Sequence, residues 1–147
     1  MKKIILYTDG ACSFNPGPGG WGVVLMFNNI KKEMSGGERE TTNNRMELTA
    51  VIEGLKALKE PCEVEVYSDS AYVVNAFLQN WVQGWITNGW RNSTNKPVAN
   101  KELWQELIAL TEKHKVKFIK VKGHSDNIYN NRCDELARIE TAKFSEE

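Results

Sequence analysis

Four carboxylates are the residues whose types and positions in this sequence could do chemistry. Asp9 and Asp69 each follow a strand-like run, Glu47 begins the apolar face of a helical stretch, and Asp134 lies early in another helical stretch. Side chains at strand ends and helix starts commonly meet to form sites in α/β proteins. Carboxylates that met in this way could hold a hard divalent cation such as Mg²⁺ or Mn²⁺, which would offset their mutual repulsion.

Glu47 lies in the stretch 41–58, which has the periodicity of an amphipathic helix. Steps of three and four residues from Glu47 reach only apolar or small side chains up to Leu58, so the carboxylate begins a stripe that faces the core. A common alternative is a capping box, with Asn44 as the N-cap and Glu47 three residues later. Periodicity alone leaves both interpretations open.

The other three acids also have ordinary alternatives. Asp9 precedes a glycine, as a turn aspartate does, and Asp69 precedes a helical stretch that it could cap. Asp134 lies four residues before Arg138, which is the spacing of a helical surface ion pair. The hypothesis of a metal site therefore depends on whether the fold brings the acids together.

The elements that must position these acids form a β-β-β-α-β pattern followed by more helices and one more strand. A strand, helix and strand in succession form a crossover unit, so the first and fourth strands should be parallel and should bring Asp9 and Asp69 to one edge. The first three strands have short connections and should form an antiparallel meander. The predicted strands are 3–8, 21–27, 30–36, 62–67 and 116–121, and the predicted helices are 41–58, 71–78, 100–114 and 130–144.

Two loop-like stretches interrupt this pattern. The run NPGPGG at 15–20 is rich in glycine and proline and is expected to be a loop. The stretch 79–100 is the least regular part of the chain, and we expect Trp85 and Trp90 to pack together as a small aromatic cluster.

Composition predicts one soluble domain covering residues 1–147. The chain is 41% apolar and 26% charged, and its 19 basic and 19 acidic residues cancel, which argues against a strongly basic nucleic-acid binder. No stretch predicts a membrane span or a signal peptide, and the three cysteines have no metal-site spacing, so a cytoplasmic protein with reduced thiols is expected. The absence of a coiled-coil pattern favours a monomer.

Motifs along nearly the whole chain resemble ribonuclease HI of the type 1 ribonuclease H family. They occur in the order YTDGAC (7–12), NPGPGG (15–20), TTNNRMEL (41–48), YSDS (67–70), Trp81, KPV (96–98), Asn100, LW (103–104), VKGH (121–124), Asn130 and RCDELAR (132–138). The resemblance implies a ribonuclease H-like α/β fold, a five-stranded mixed sheet of order 3-2-1-4-5 with helices on both faces. It also implies hydrolysis of the RNA strand of RNA/DNA hybrids, leaving 3′-hydroxyl and 5′-phosphate ends.

The same resemblance implies roles for five catalytic residues. Asp9 should bridge two Mg²⁺ ions, Glu47 and Asp69 should complete one site, and Asp134 should hold the other ion, with Mn²⁺ able to substitute. His124 matches the loop histidine of the family, which is assigned to proton transfer or product release. No covalent enzyme intermediate is implied.

Seven further residues match the family's substrate-binding positions. Asn15, Asn43, Asn44 and the backbone near Cys12 should line the minor groove of the hybrid, where the 2′-hydroxyl distinguishes RNA from DNA. Thr42 and Asn100 match residues that hold a phosphate of the DNA strand. Trp81 matches a residue that packs against the DNA strand.

The sequence departs from the family pattern in three places. The run 83–91 has one cation where better-known relatives carry a basic protrusion, which predicts weaker hybrid binding with a flatter salt dependence. Glu40 replaces an arginine that is often found beside the phosphate pocket. In the loop after His124, Asp126 replaces a glycine and Asn131 an acid.

Three rival functions stay open from sequence: a non-catalytic hybrid-binding module, a resolvase or integrase core of the same superfamily, and a structural domain whose acids are only caps and ion pairs. The four acids argue against a pure binding module. The TTNNRMEL run and the segment 81–100 argue against the resolvase and integrase alternatives.

Overall fold

The computed structural model describes residues 1–123 and 127–145, which contain five strands and five helices. The strands are β1 (Lys2–Cys12), β2 (Gly17–Phe27), β3 (Ile30–Thr41), β4 (Cys62–Ser68) and β5 (Lys115–Lys120). The helices are α1 (Asn43–Lys56), α2 (Ala71–Leu78), α3 (Trp81–Thr87), α4 (Lys101–Lys113) and α5 (Ile128–Ser145).

The five strands form one mixed sheet in the order β3-β2-β1-β4-β5, which confirms the predicted order. β1, β2 and β3 are antiparallel neighbours, while β4 is parallel to both β1 and β5. The parallel register of β1 and β4 ends at the pair Tyr7 and Tyr67. Asp9 and Asp69 therefore each lie two residues beyond the last paired position, at the same edge of the sheet.

Helices cover both faces of the sheet, as expected. α1 packs on the face that presents Leu6 and Val23, and α4 packs against α1. α5 packs on the opposite face across β1, β2 and β3. Glycines in β2 permit this close approach, because a Cβ atom on Gly22 would lie 2.4 Å from the carbonyl oxygen of Cys133 in α5. This contact fixes the early turns of α5, where Asp134 lies, beside the central strands.

The first strand is longer than the sequence pattern predicts. β1 does not close at Asp9 and Gly10 but continues to Cys12, since Asp9 pairs with Gly22 and Cys12 with Gly19 in β2. β2 accordingly begins at Gly17, so most of the expected loop 15–20 is strand. Backbone pairing with a neighbouring strand thus overrides the glycine and proline content here.

A short helix, α3, occupies part of the stretch that was expected to be irregular. The packing of Trp85 compensates for the poor helix propensity of this segment, because its ring lies 5.0 Å from that of Trp104 and 6.2 Å from that of Trp90. The predicted aromatic cluster is thereby confirmed, and it joins the main core rather than standing apart. Among the described residues, no helix combines the length and apolar character needed to cross a membrane.

Candidate active site

Three of the four predicted acids meet at the edge of the sheet. Asp9, Glu47 and Asp69 each offer a carboxylate oxygen, and these three atoms lie within 4.8 Å of one another. Asp9 comes from β1, Glu47 from the second turn of α1, and Asp69 from the residue after β4. The convergence predicted from the crossover unit is therefore present.

Glu47 is not part of a capping box. The N-cap of α1 is Thr42, whose Oγ1 accepts a hydrogen bond of 3.2 Å from the backbone N–H of Arg45, and Asn44 lies inside the first turn. The capping interpretation of Glu47 is wrong because the helix begins earlier than that interpretation requires. This start places Glu47 deeper, where its side chain is buried against β1.

The close approach of α1 to β1 depends on Gly10. A Cβ atom on Gly10 would lie 2.5 Å from the backbone nitrogen of Glu47, so only glycine fits here. Glu47 is 6% exposed, and its Oε1 has no hydrogen-bond partner among residues 1–123 and 127–145. A buried carboxylate oxygen without a partner is unfavourable unless a cation or a donor is supplied.

The pKa values of two acids reflect this environment. Burial, reinforced by the negative charge of Asp69, raises the pKa of Asp9 to about 8, although the N–H of Gly10 donates to Asp9 Oδ1 at 2.9 Å. Burial, followed by the charges of Asp9 and Asp69, also raises the pKa of Glu47 well above its usual value. The ionised forms of Asp9 and Glu47 are therefore unfavourable without compensating positive charge.

Asp69 is not a helix cap either. The N-cap of α2 is Ser70, whose Oγ accepts a hydrogen bond of 3.2 Å from the N–H of Val73. The backbone N–H of Ser70 donates in turn to Ser68 Oγ at 3.1 Å. Because the serines on both sides carry out the local capping, the carboxylate of Asp69 is available to the cluster.

Asp134 lies beside the cluster but is engaged differently. Its Oδ2 accepts a hydrogen bond of 3.0 Å from Arg138 Nε, so the ion pair predicted from spacing is confirmed. Asp134 also lines the same cavity as the three clustered acids and contributes to the raised pKa of Asp9. It is thus near enough to act electrostatically on the site while its side chain is held by Arg138.

The cavity at the acids has a volume of about 190 Å³ and a polar lining. Its remaining lining residues are Gly10, Asn43, Lys122, Gly123, Asn130 and Asn131. Asn130 Nδ2 donates to the carbonyl oxygen of Tyr67 at 3.3 Å, while its buried Oδ1 has no partner in the part of the chain that the structure describes. Asn130 and Lys122 lie within the family motifs, but no feature of the sequence itself indicates a role for either residue.

Several predicted substrate-binding residues form a second group beside the acids. Asn15 Oδ1 accepts a hydrogen bond of 3.1 Å from the backbone N–H of Asn43, which joins the loop after β1 to the start of α1. The thiol of Cys12 contacts the carbonyl oxygen of Thr41 at 3.4 Å, next to the capping residue Thr42. The side chains of Asn43 and Asn44 are exposed on this surface.

The remaining predicted residues lie apart from this group or outside the described residues. Trp81 is 40% exposed at the start of α3, and Asn100 precedes α4, where its Nδ2 donates to the hydroxyl oxygen of Tyr72 at 3.2 Å. Although Asn100 occupies the N-cap position, its side chain makes no capping hydrogen bond. His124 and Asp126 lie outside the described residues.

A divalent cation fits the chemistry of this donor set. The clustered ligands are all carboxylate oxygens, which suit Mg²⁺ or Mn²⁺ better than the softer transition metals. The unpartnered oxygen of Glu47 and the raised pKa of Asp9 both indicate missing positive charge. A cation would supply it.

Comparisons with known proteins agree with this geometry. The profile of the family described as RNase H matches residues 1–142. The chain is 64% identical over 145 residues to Ribonuclease H of Acetivibrio thermocellus, covering 99% of each chain. It is 63% identical over 138 residues to Ribonuclease H of Chlorobaculum parvum, covering 94% of each chain.

Solved structures show the same similarity. LC9-RNase H1, described as a type 1 RNase H with the type 2 active-site motif, superposes with a TM-score of 0.87 at 28% identity, covering 97% of this chain and 73% of that one. LC11-RNase H1, solved in complex with an RNA/DNA hybrid, superposes with a TM-score of 0.72 at 29% identity, covering 95% of this chain and 97% of that one.

Proposed function

This chain belongs to the ribonuclease H family and is an endoribonuclease of that family, and from that premise we propose that it hydrolyses the RNA strand of RNA/DNA hybrids. The products would carry 3′-hydroxyl and 5′-phosphate ends. The observation that carries the proposal is the meeting of Asp9, Glu47 and Asp69 within 4.8 Å at the edge of the sheet. A structural domain has no need of a cluster of three acids, two of them buried, that repel one another.

We propose two Mg²⁺ ions as the cofactor, with Mn²⁺ as a substitute. Asp9, Glu47 and Asp69 would hold one ion, and Asp9 with Asp134 would hold the other. Bound cations of this kind activate a water molecule as the nucleophile and stabilise charge on the leaving oxygen. The oxygen-only donor set supports this choice of metals.

The chain's own residues make the site ready for this chemistry. Burial of Glu47 excludes bulk water from one side of the cluster, and the N–H of Gly10 orients Asp9. The buried hydroxyl groups of Ser68 and Ser70 accept backbone hydrogen bonds, which argues against a serine nucleophile and for direct attack by water.

Two further residues, Asp134 and His124, complete the proposed catalytic set. Asp134 would have to leave Arg138, at least in part, before it could join the other acids. His124 would transfer a proton or assist product release, and its ordinary pKa near 6.5 suits that role.

We propose that the surface around Asn15 and Asn43 recognises the minor groove. A-form duplexes expose 2′-hydroxyl groups in a wide, shallow minor groove, and amides can both donate to and accept from a hydroxyl. The Asn15 to Asn43 hydrogen bond supports this, because it holds two such groups at one place beside the acids. Cys12 and Asn44 border this surface.

The DNA strand would bind next to this surface, because Thr42 directly precedes Asn43. We propose that Thr42 and Asn100 hold a DNA phosphate and that Trp81 packs against a DNA sugar. The 40% exposure of the Trp81 ring supports the latter role, since a fully buried ring could not reach a duplex.

We further propose that the protein works as a monomer in the cytoplasm, with residues 1–147 forming one catalytic domain. The three cysteines Cys12, Cys62 and Cys133 are all free thiols, which suits a reducing compartment.

A substrate panel tests the proposed function. Labelled RNA/DNA hybrid, double-stranded RNA and double-stranded DNA would each be incubated with the enzyme, with Mg²⁺ and with excess chelator. We expect cleavage of RNA in the hybrid alone, only with Mg²⁺, and loss of at least 100-fold in Asp9→Asn. Equal cleavage of double-stranded DNA, or full turnover in chelator, would contradict the proposal. End analysis by enzymatic 5′ labelling and 3′ extension would identify the product ends.

A further inference from the structure

The most exposed large hydrophobic residue in the described part of the chain lies next to the proposed minor-groove surface. Phe14 is 86% exposed and precedes Asn15 in the short connection between β1 and β2. Its backbone has a φ of 61°, a left-handed conformation that phenylalanine rarely adopts. An aromatic ring held in this way in open solvent has no stabilising role that the structure shows.

The connection that carries Phe14 is tightly bonded on all sides. The backbone N–H of Ser13 donates to the carbonyl oxygen of Pro18 at 2.8 Å, and the thiol of Cys12 donates to the carbonyl oxygen of Phe14 at 3.0 Å. Gly17 passes directly beneath, since a Cβ atom there would lie 3.1 Å from the Cβ atom of Phe14. The ring is therefore presented outward by a fixed backbone.

This fixed segment is also joined to the proposed substrate surface. Asn15, the next residue, bonds to the start of α1 through the N–H of Asn43. Phe14 lies two residues beyond β1 and five residues from Asp9 in the chain, so the Cα atoms of the two are at most about 18 Å apart. At about 3.4 Å per base pair along a duplex, this corresponds to about five base pairs from the catalytic acids.

We propose that Phe14 is a substrate-contacting residue that packs its ring against sugars in the minor groove of the hybrid, within about five base pairs of the scissile phosphate. The inference rests on the proposed function, since it names a further contact of the same site. A ring cannot stack on paired bases from outside a duplex, but the wide and shallow groove of A-form geometry exposes sugar faces to it. Its contribution is apolar and independent of sequence.

The preformed loop explains why such a contact would be effective. Ordering a side chain on binding reduces affinity, whereas a backbone that is already fixed avoids part of that loss. Cys12, Gly17 and Asn15 all hold the backbone at Phe14, so the ring needs to settle only its own two torsions.

Equilibrium binding in chelator tests the inference without any cleavage. Anisotropy of a labelled hybrid would be compared for wild type, Phe14→Ala, Phe14→Asn and Phe14→Trp. We expect an affinity loss of about tenfold for Ala and Asn and near wild-type affinity for Trp, by analogy with aromatic contacts to single bases. Asn readily adopts a left-handed backbone, so it removes the ring while keeping the loop conformation.

Ile30→Ala is the matched control. Ile30 is 67% exposed at the start of β3, next to the β2–β3 turn at the opposite end of the sheet from the acids. It should bind hybrid like wild type. The inference would be overturned if Phe14→Ala bound the hybrid within twofold of the wild-type affinity, or if Phe14→Asn bound it as tightly as wild type. In either case the ring would contribute nothing.

The salt dependence and a position test separate a sugar contact from other effects. The slope of log affinity against log salt should be unchanged in Phe14→Ala, because no phosphate contact is lost. With hybrids cleaved at one fixed site and shortened stepwise, the Phe14→Ala defect should disappear once the duplex on one side is too short to contain the contact, at about five base pairs or fewer. A defect that persists in the shortest hybrid from both sides would contradict the proposed contact. Failure of wild type to cleave hybrid would instead refute the proposed function and leave the binding comparison intact.

Discussion

At the scale of single residues, the site is defined by acids whose charge the protein does not itself compensate. Asp9 and Glu47 both have raised pKa values because of burial and, after that, the negative charges of neighbouring acids, Asp69 among them in each case. Part of this could be predicted from sequence, since the crossover unit places Asp9 and Asp69 at one edge. The depth of Glu47 could not, because the run TTNN at 41–44 offers several capping residues and the core packing of Met46 and Leu48 decides among them.

Removal of the negative charge of Asp9 should stabilise the protein when no divalent cation is bound. In the folded state the pKa of Asp9 is about 8, whereas an unfolded aspartate has a pKa of about 3.9. The contribution of Asp9 to the stability of the folded protein is therefore fully present below about pH 4 and is lost as the pH rises through 8. Asp9→Asn should have a higher Tm than wild type in chelator at pH 8, by several degrees at about 2–4 °C per kcal/mol.

Thermal melts with and without Mg²⁺ would check this prediction. Wild type should gain stability as Mg²⁺ is added, because a cation that binds only the folded state shifts the equilibrium. Asp9→Asn should gain much less. A wild-type Tm that is independent of both pH and Mg²⁺ would count against the cation site.

His114 makes a second pH-dependent contribution, of opposite sign. Its Nδ1 accepts a hydrogen bond of 3.1 Å from the backbone N–H of Cys62, and burial, aided by the charge of Lys113, lowers its pKa. The unfolded chain therefore binds a proton on His114 more readily than the folded chain does. Its contribution to stability is complete above about pH 6.5 and falls as the pH drops below that value.

Comparison of wild type with His114→Asn isolates this effect. Asn can keep an acceptor near the position of Nδ1, so the variant should fold, and its stability should fall less between pH 7 and 5. His114→Ala should cost about 1–3 kcal/mol at pH 7, because the buried N–H of Cys62 is left without a partner. Urea unfolding across this range gives the measurement, and parallel pH profiles for wild type and His114→Asn would refute the assignment.

At the scale of elements, α3 shows where sequence patterns were insufficient. Its sequence WVQGWIT has no charge and a central glycine, and tertiary packing explains why it is helical, since Val82 is buried in the core and Trp85 packs on Trp104. That contact joins residues far apart in the chain, so periodicity within the segment could not reveal it. The same sequence leaves the exposed face of α3 without a cation.

Added lysines on α3 should strengthen hybrid binding if this helix faces the substrate. Gln83 and Thr87 are exposed and lie four residues apart, on one face of the helix. In the double variant Gln83→Lys and Thr87→Lys, each new phosphate contact should steepen the salt slope by about 0.7–0.9. The exposed residues Asn29 and Ile30 lie at the opposite end of the sheet, so the double variant Asn29→Lys and Ile30→Lys serves as the charge-matched control. An unchanged slope in the double variant would place α3 away from the hybrid.

At the scale of the whole molecule, the site exists because two helices approach the sheet unusually closely from opposite faces. Gly10 admits α1 with Glu47, and Gly22 admits α5 with Asp134. The strand order and the helix positions followed from the crossover rule and from the family resemblance. The glycine contacts did not, since a glycine in a strand indicates a close approach without saying which element approaches.

A methyl group at Gly22 should therefore lower the stability of the protein and shift Asp134, the fourth acid, from its position. The Cβ atom would lie 2.4 Å from the carbonyl oxygen of Cys133 and 2.8 Å from the Cβ atom of Leu136, so α5 must shift away from β2. We expect Gly22→Ala to lose about 1–3 kcal/mol of stability, as overpacked cores do. Because Asp134 adjoins Cys133, the Mg²⁺-dependent gain in Tm should also shrink.

Gly84→Ala is the matched control, since nothing lies within 4 Å of a Cβ atom there, and it should gain about 0.5–1 kcal/mol from helix propensity. Equal stability of Gly22→Ala and wild type would show that α5 does not depend on this contact.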